Sequence, residues 1–310
     1  MKFHLNYQPN KAKFDISHKS NLTFIGSCFS ENISNLLKND GFNIYSNPFG
    51  ITYNPISIFE QLNLLNETQL FTRDFFIENN GMFYSYFSHS CIYEKSEEKL
   101  IETLNNLKST FIEKLHQTDY LFITLGSAYY YTLNNKVVAN CHKQPNTNFE
   151  KYIFKLSDSE FINNVIQALV KVNPKIKLIF TVSPVIHIKD GIEENYLSKS
   201  TLRLLIEQIC SEFNQCFYFP AYELVNADLR DYRFYKEDLA HPNQMAIEYI
   251  YSKFKYCYFN EETIKISNEI NNFSKLCSHK ILNKKLEKQH DEKIIETKRM
   301  LQSKYPFITL

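Results

Sequence analysis

Five short, almost wholly apolar runs, each followed by helical spacing, constrain this chain more than any other feature. They are LTFIG (22–26), FNIYS (42–46), YLFITLG (120–126), IKLIFTVS (176–183) and CFYFP (216–220). Runs without polar alternation are covered on both faces, which requires parallel strands lying under helices. Helical spacing appears in Ile33, Leu36 and Leu37, and over 56–65, 97–116, 198–213 and 243–257. It appears again in Phe161, Val165, Leu169 and Val172, behind a capping box Ser157-x-x-Glu160. The expected fold class is α/β with a central parallel sheet. In such sheets ligands bind beyond the carboxyl ends of the strands. That places the loops GSCFS (26–30), LGSAYYY (125–131) and TVSPVIH (181–187) together.

Two stretches interrupt the alternation. FFIENNGMFYSYF (75–87) and YYTLNNKVVANC (130–141) carry Asn80-Gly81 and Asn134-Asn135 between β-formers, so each is expected to be an inserted hairpin. Beyond about 260 the chain turns basic. Residues 275–304, with apolar positions at Ile281, Leu282, Leu286, Ile294, Ile295 and Leu301, predict one long amphipathic helix. The expected organisation is an α/β domain over 1–258 and a helical extension over 259–310. The extension's apolar face makes a second copy of the chain a candidate partner.

Charge and cysteine usage narrow the function classes. Lys plus Arg number 35 against 34 Asp plus Glu, so nucleic acid and anionic membrane surfaces gain no general attraction. The start MKFHLNYQPN has no signal-peptide apolar region and no stretch reaches the roughly 20 apolar residues of a membrane helix. A cytoplasmic protein is expected. Its seven cysteines show no CxxC pair and predict reduced thiols. No sequence feature calls for a cofactor.

Ser27 and Cys28 adjoin at the hinge between the first strand and its helix. There a helix N-terminus aims free N–H groups and the positive dipole end at the side chain, which is expected to depress a thiol's pKa and to bind an oxyanion. The partner comes late, in DLAHPN (238–243). Asp238 and His241, just before Pro242 and a helix, suit a carboxylate that orients an imidazole toward a nucleophile.

GSCFS, NPFGITYNP (47–55), VANCHKQP (138–145), TVSPVIHIKDG (181–191), FPAYELV with LRDYRFY (219–235) and DLAHPN occur in that order. Together they resemble the GSCFA domain family, which is grouped with the SGNH, or GDSL-like, hydrolases, over roughly residues 20–257. The resemblance implies a flavodoxin-like α/β/α sandwich. It places Cys28 on the nucleophile's position and Ser27 on that of an Asp, with either side chain a candidate nucleophile. A Cys there also resembles a bacterial acetyltransferase family of capsular polysaccharide synthesis. Gly50 matches the glycine whose N–H faces the oxyanion. The third block, Gly-x-Asn, reads Gly126-Ser127-Ala128 here, so Ser127 or Asn140 is left to supply the missing donor. Asp238 and His241 match the orienter and base.

His187, after the fourth strand, and His142, in the second hairpin, are further substrate-binding candidates. Cys28, Cys141, His142 and His241 include zinc-type ligands, but no spacing favours a metal site. The expected function is acyl transfer, as esterase, thioesterase or O-acyltransferase, on a small-molecule or glycan ester. The alternative is a non-catalytic carbohydrate-binding or interaction module on a decayed hydrolase fold, motivated by the absent Asn.

Overall fold

The computed structural model describes residues 4–73, 75–139, 147–279 and 284–309. The first apolar run becomes β1 (Leu22–Gly26) and turns at once into α1 (Cys28–Asn39). Then follow β2 (Ile44–Ser46) and α2 (Pro55–Asn63). The first insertion supplies β3 (Phe76–Asn79), β4 (Met82–Ser85) and β5 (Tyr93–Glu94) before α3 (Glu97–Gln117) and β6 (Tyr120–Leu125). The second supplies β7 (Tyr129–Leu133), β8 (Lys136–Val138) and β9 (Glu150–Ile153). After it come α4 (Glu160–Val172), β10 (Lys177–Val182), α5 (Ile192–Glu212) and β11 (Cys216–Tyr218). A short α6 (Ala221–Glu223) precedes α7 (Gln244–Tyr258), α8 (Glu261–Ser278) and α9 (Lys284–Lys304).

All five apolar runs enter one parallel sheet, ordered β2-β1-β6-β10-β11. Numbered among themselves the strands run 2-1-3-4-5, the flavodoxin-like order, whose switch point lies between β1 and β6. Successive side chains feed opposite layers. Phe24 and Phe122 stack with ring centroids 4.4 Å apart in the layer completed by α1 and α7. Ile25 and Ile123 face α2, α3, α4 and α5 on the other side. Each such fully buried side chain contributes roughly 1.5–3 kcal/mol relative to exposure.

Both hairpins form where turn chemistry predicts them. Asn80 and Gly81 have φ of 53° and 73°, and Asn134 and Asn135 have 51° and 61°, the doubly positive φ of a tight two-residue hairpin turn. Each gains a third strand, β5 and β9. The capping box is a correction. Residues 156–158 close a 3-10 turn, Ser157 Oγ bonds to Asp158, and α4 starts behind Ser159, which makes no side-chain cap.

The single C-terminal helix is also a correction. The chain forms two helices, α8 and α9, because the apolar stripe begins at Ile266, earlier than the basic stretch suggests. Ile266, Ile270 and Phe273 of α8 pack with Leu301, Tyr305 and Ile308. Ile281 and Leu282 lie outside the described residues. The pair of helices docks at the end of α1. There buried Asp40 accepts hydrogen bonds from Asn271 Nδ2 at 2.8 Å and Tyr251 OH at 2.7 Å, and Ile270 packs against Gly41. Truncation after 260 strips Asp40 of one partner and uncovers the α1 end. The expected cost is about 3 kcal/mol, or about 6–12 °C in a domain of this size. A truncated protein melting with the full chain in calorimetry would show the docking to be energetically idle.

Candidate active site

The site is built at the switch point. Gly26 ends β1 with φ 142°, and a Cβ there would sit 2.3 Å from Thr124 O of β6. Only glycine permits that approach. Its N–H donates to Asn47 Oδ1 at 2.9 Å, which ties the hinge to the chain leaving β2. Ser27 follows as the N-cap of α1; its Oγ accepts from Phe29 N–H at 3.3 Å and only 4 % of the residue is exposed. Cys28 is then the first helical residue, half-buried, and it lines an open cleft of about 350 Å³ with Glu31, Lys236, Asp238 and His241.

The opposite wall is a self-bracing turn. Asp238 Oδ1 accepts the N–H groups of Ala240 at 2.9 Å and His241 at 3.0 Å, and Oδ2 pairs with His241 Nδ1 at 2.7 Å. Leu239 takes φ 54° so that the turn can close, a strained state for a branched side chain. Ile186 N–H donates to Ala240 O at 3.0 Å, fastening the turn to the loop after β10. The two backbone N–H groups, then the ring, hold the Asp238 carboxyl down to about 2. With Nδ1 engaged, Nε2 is the ring nitrogen that makes no hydrogen bond among the described residues. Pro242 lies before the helix, whose N-cap is Asn243.

Cys28 departs from expectation in its electrostatics. Burial pushes the thiol up, and Glu31 one turn along adds to this. The N–H groups of Phe29 and Cys28, together with Lys236, act in the expected downward direction and are outweighed. A helix N-terminus favours a thiolate by a fraction of what desolvation costs it. Among the described residues no hydrogen bond joins Cys28 to His241.

The other expected groups are placed as follows. Gly50 donates its N–H to Asn47 O at 2.9 Å in a turn, and its Cα faces His89 and Cys91. Ser127 is buried; its Oγ accepts Tyr129 N–H at 3.1 Å and meets Ser198 Oγ at 3.4 Å. His187 sits over Gly126 beside Tyr53, with ring centroids 5.3 Å apart. Burial first, then the Lys199 charge, pushes it down to about 4, so it is neutral at physiological pH. Asn140, Cys141 and His142 lie outside the described residues. Among the described residues no group of three or more His, Cys, Asp or Glu side chains is placed to hold a metal ion, and no helix is long and apolar enough to cross a membrane.

Sequence reasoning missed the polar face of α5. Asn195 Oδ1 accepts His187 N–H at 3.0 Å, and Ser198 Oγ accepts Ala128 N–H at 2.7 Å. Lys199 Nζ donates to Gly126 O at 2.5 Å and Ser183 O at 2.9 Å. The signal was available: 195, 198 and 199 continue the core stripe of Leu202, Leu205, Ile206 and Ile209, so three polar residues occupy core positions. A larger cavity, about 590 Å³, lies by β11. Its Glu223 accepts from Tyr218 OH at 2.7 Å and lies 3.7 Å from Arg203 Nε.

Comparison with known proteins gives three findings. No curated protein matches the chain. Among solved structures, the Clostridium thermocellum family 3 carbohydrate esterase is similar at 12 % identity and TM-score 0.34, covering 81 % of this chain and 98 % of that one. The GSCFA family model matches residues 21–254. That span starts just before the strand that ends in the Gly26 hinge and takes in the His241 turn, and on that match the chain belongs to the GSCFA family.

Proposed function

We propose that this protein is an SGNH-like acyl-transfer enzyme with Cys28 as nucleophile, His241 as base and Asp238 as orienter. The observation that carries the reading is that Cys28 and the Asp238–His241 pair line one cleft at the switch point. His241 Nε2 takes the Sγ proton; sulfur attacks an ester or thioester carbonyl; the proton passes to the departing oxygen or sulfur as its bond to carbon breaks. The N–H of Cys28 at the start of α1 faces the oxyanion. Water or a hydroxyl, deprotonated by His241, then takes the acyl group and frees the thiol. The carbohydrate or small-molecule ester remains the proposed substrate class, and the cytoplasm the proposed location. Buried Ser27, which caps α1, supports Cys28 as the reacting group.

The test is to react the protein with an acyl thioester and acetylated sugars, quench with acid, and locate the acyl group by mass spectrometry. An acyl adduct on Cys28 is expected, absent in Cys28→Ala and retained in Ser27→Ala; an adduct on Ser27 alone would reverse the assignment. A second reading, a glycan-binding module, is favoured by the raised thiol and by the lack of a Cys28–His241 hydrogen bond among the described residues. Saturable sugar binding with no adduct on any substrate would establish it.

A further inference from the structure

The cavity beside β11, about 590 Å³, is larger than the Cys28 cleft and falls in the roughly 300–1,000 Å³ range of small-molecule sites. One part of its wall is a chain segment strapped across α7. Lys253 Nζ donates to Gln8 Oε1 at 2.6 Å, His4 Nδ1 lies 3.3 Å from Asp228 Oδ1, and Ala12 N–H donates to Cys257 O at 3.0 Å. His4 and Gln8 thus anchor the segment, while Leu5, Tyr7 and Pro9 line the cavity. Leu5 stays 67 % and Tyr7 41 % exposed, so a pinned segment leaves apolar surface uncovered at the cavity. The lining also includes Ala227, in a π-helical turn over Leu224–Leu229, and such turns recur at functional sites.

The polar groups narrow the ligand. Tyr258 is 3 % exposed and lines the cavity, yet its hydroxyl makes no hydrogen bond among the described residues. Phe254 and Phe219 hold its ring, with centroids 4.8 and 5.9 Å away, so packing fixes where the hydroxyl sits. A phenol buried without a partner is costly, and the cavity is where a partner can be supplied. Glu223 is oriented by Tyr218 OH and can accept again, since a carboxylate has several lone pairs. Arg203 is already shared between Glu223 and Glu207, the latter at 2.9 Å, and its guanidinium lies 4.3 Å from the Tyr218 ring centroid. An anionic ligand would meet two carboxylates, and a purely apolar one would leave Tyr258 unpaired. A sugar ring meets both demands: its C–H faces stack on aromatic and proline rings, and each hydroxyl both donates and accepts.

We propose that this cavity binds a neutral sugar ring, stacked against Tyr7 and hydrogen-bonded to Tyr258 and Glu223. It lies at the outer edge of the sheet, three strands from β1, so it is separate from the Cys28 cleft and stands whether or not Cys28 reacts.

The test is saturation-transfer NMR on the full chain, titrated with the methyl glycosides of glucose, galactose and N-acetylglucosamine. Acetate and benzyl alcohol serve as the anionic and apolar controls. At least one glycoside is expected to bind saturably in the millimolar range, with the strongest transfer at its ring C–H protons. Tyr258→Phe, which removes one hydroxyl, and Tyr7→Ala, which removes a stacking face, are each expected to weaken binding about tenfold. Tyr93→Ala, half-exposed and away from the cavity lining, and His241→Ala, in the cleft, are expected to bind as the parent does. Saturable binding of none of the three glycosides overturns the proposal, as does parent-like affinity in either folded cavity variant. Binding lost in His241→Ala would place the sugar in the cleft, and preference for acetate or benzyl alcohol over every glycoside would remove the sugar; both overturn it. If Tyr258→Phe does not fold, Tyr7→Ala, at an exposed position, decides alone.

Discussion

His241→Ala is expected to lower kcat/KM for ester or thioester turnover by about 10³-fold, within the range that a positioned general base supplies. The loss should be large here because the Cys28 thiol is pushed up and cannot ionise unaided near neutral pH. Cys28→Ala should lose a comparable amount, and the double variant no more than either alone, since the two act as one unit. Asp238→Asn should cost about 10²–10⁴-fold: an amide at the 2.7 Å contact can donate to Nδ1 and so move the ring proton to Nε2, the nitrogen that must accept. Asp238 itself, held down to about 2, leaves no limb in a rate profile above pH 4. Rates should climb from neutral into alkaline pH as the thiol ionises. Additive losses in the double variant would separate the two residues and sink the dyad.

The strands, hairpin turns and hinge were legible because each rests on local chemistry. Apolar runs without alternation demand a covered sheet, and Asn-Gly or Asn-Asn supplies the positive φ of a tight turn. The cleft partners were legible for another reason: topology alone brings the ends of β1 and β10 to the edge near the Asp238–His241 turn. Burial was not legible at that level. The helix N-terminus at Cys28 reads as thiolate-favouring, yet desolvation and Glu31 outweigh it, and neither appears until α1 is packed. For Gly50 and Ser127 a motif position says which residue is present, while the hydrogen-bond partner it has already taken depends on the loop. Lys199 was visible only as a charge at a core position of an amphipathic stripe.

Gly26→Ala is expected to be the most damaging single methyl in the protein. The added Cβ would meet Thr124 O at 2.3 Å and Thr124 Cβ and N at 2.8 Å. Two of those three atoms are β6 backbone, in the middle of the sheet, so they cannot move aside like the end of a flexible side chain. Relief requires either separating β1 from β6 at their paired residues or rotating Gly26 away from φ 142°, which would break its N–H bond to Asn47 and re-aim Cys28. A cost of about 4 kcal/mol or more follows, lowering the melting temperature by about 8–16 °C. Gly81→Ala is the matched control. It also has positive φ, 73°, but no atom lies within 4 Å of the added methyl, so only the conformational cost of about 1–2 kcal/mol applies. Calorimetry of the two variants therefore separates strand contact from backbone strain. Equal shifts for Gly26→Ala and Gly81→Ala would mean that β1 and β6 do not approach this closely at the hinge, and the geometry that presents Cys28 to the cleft would have to be abandoned with it.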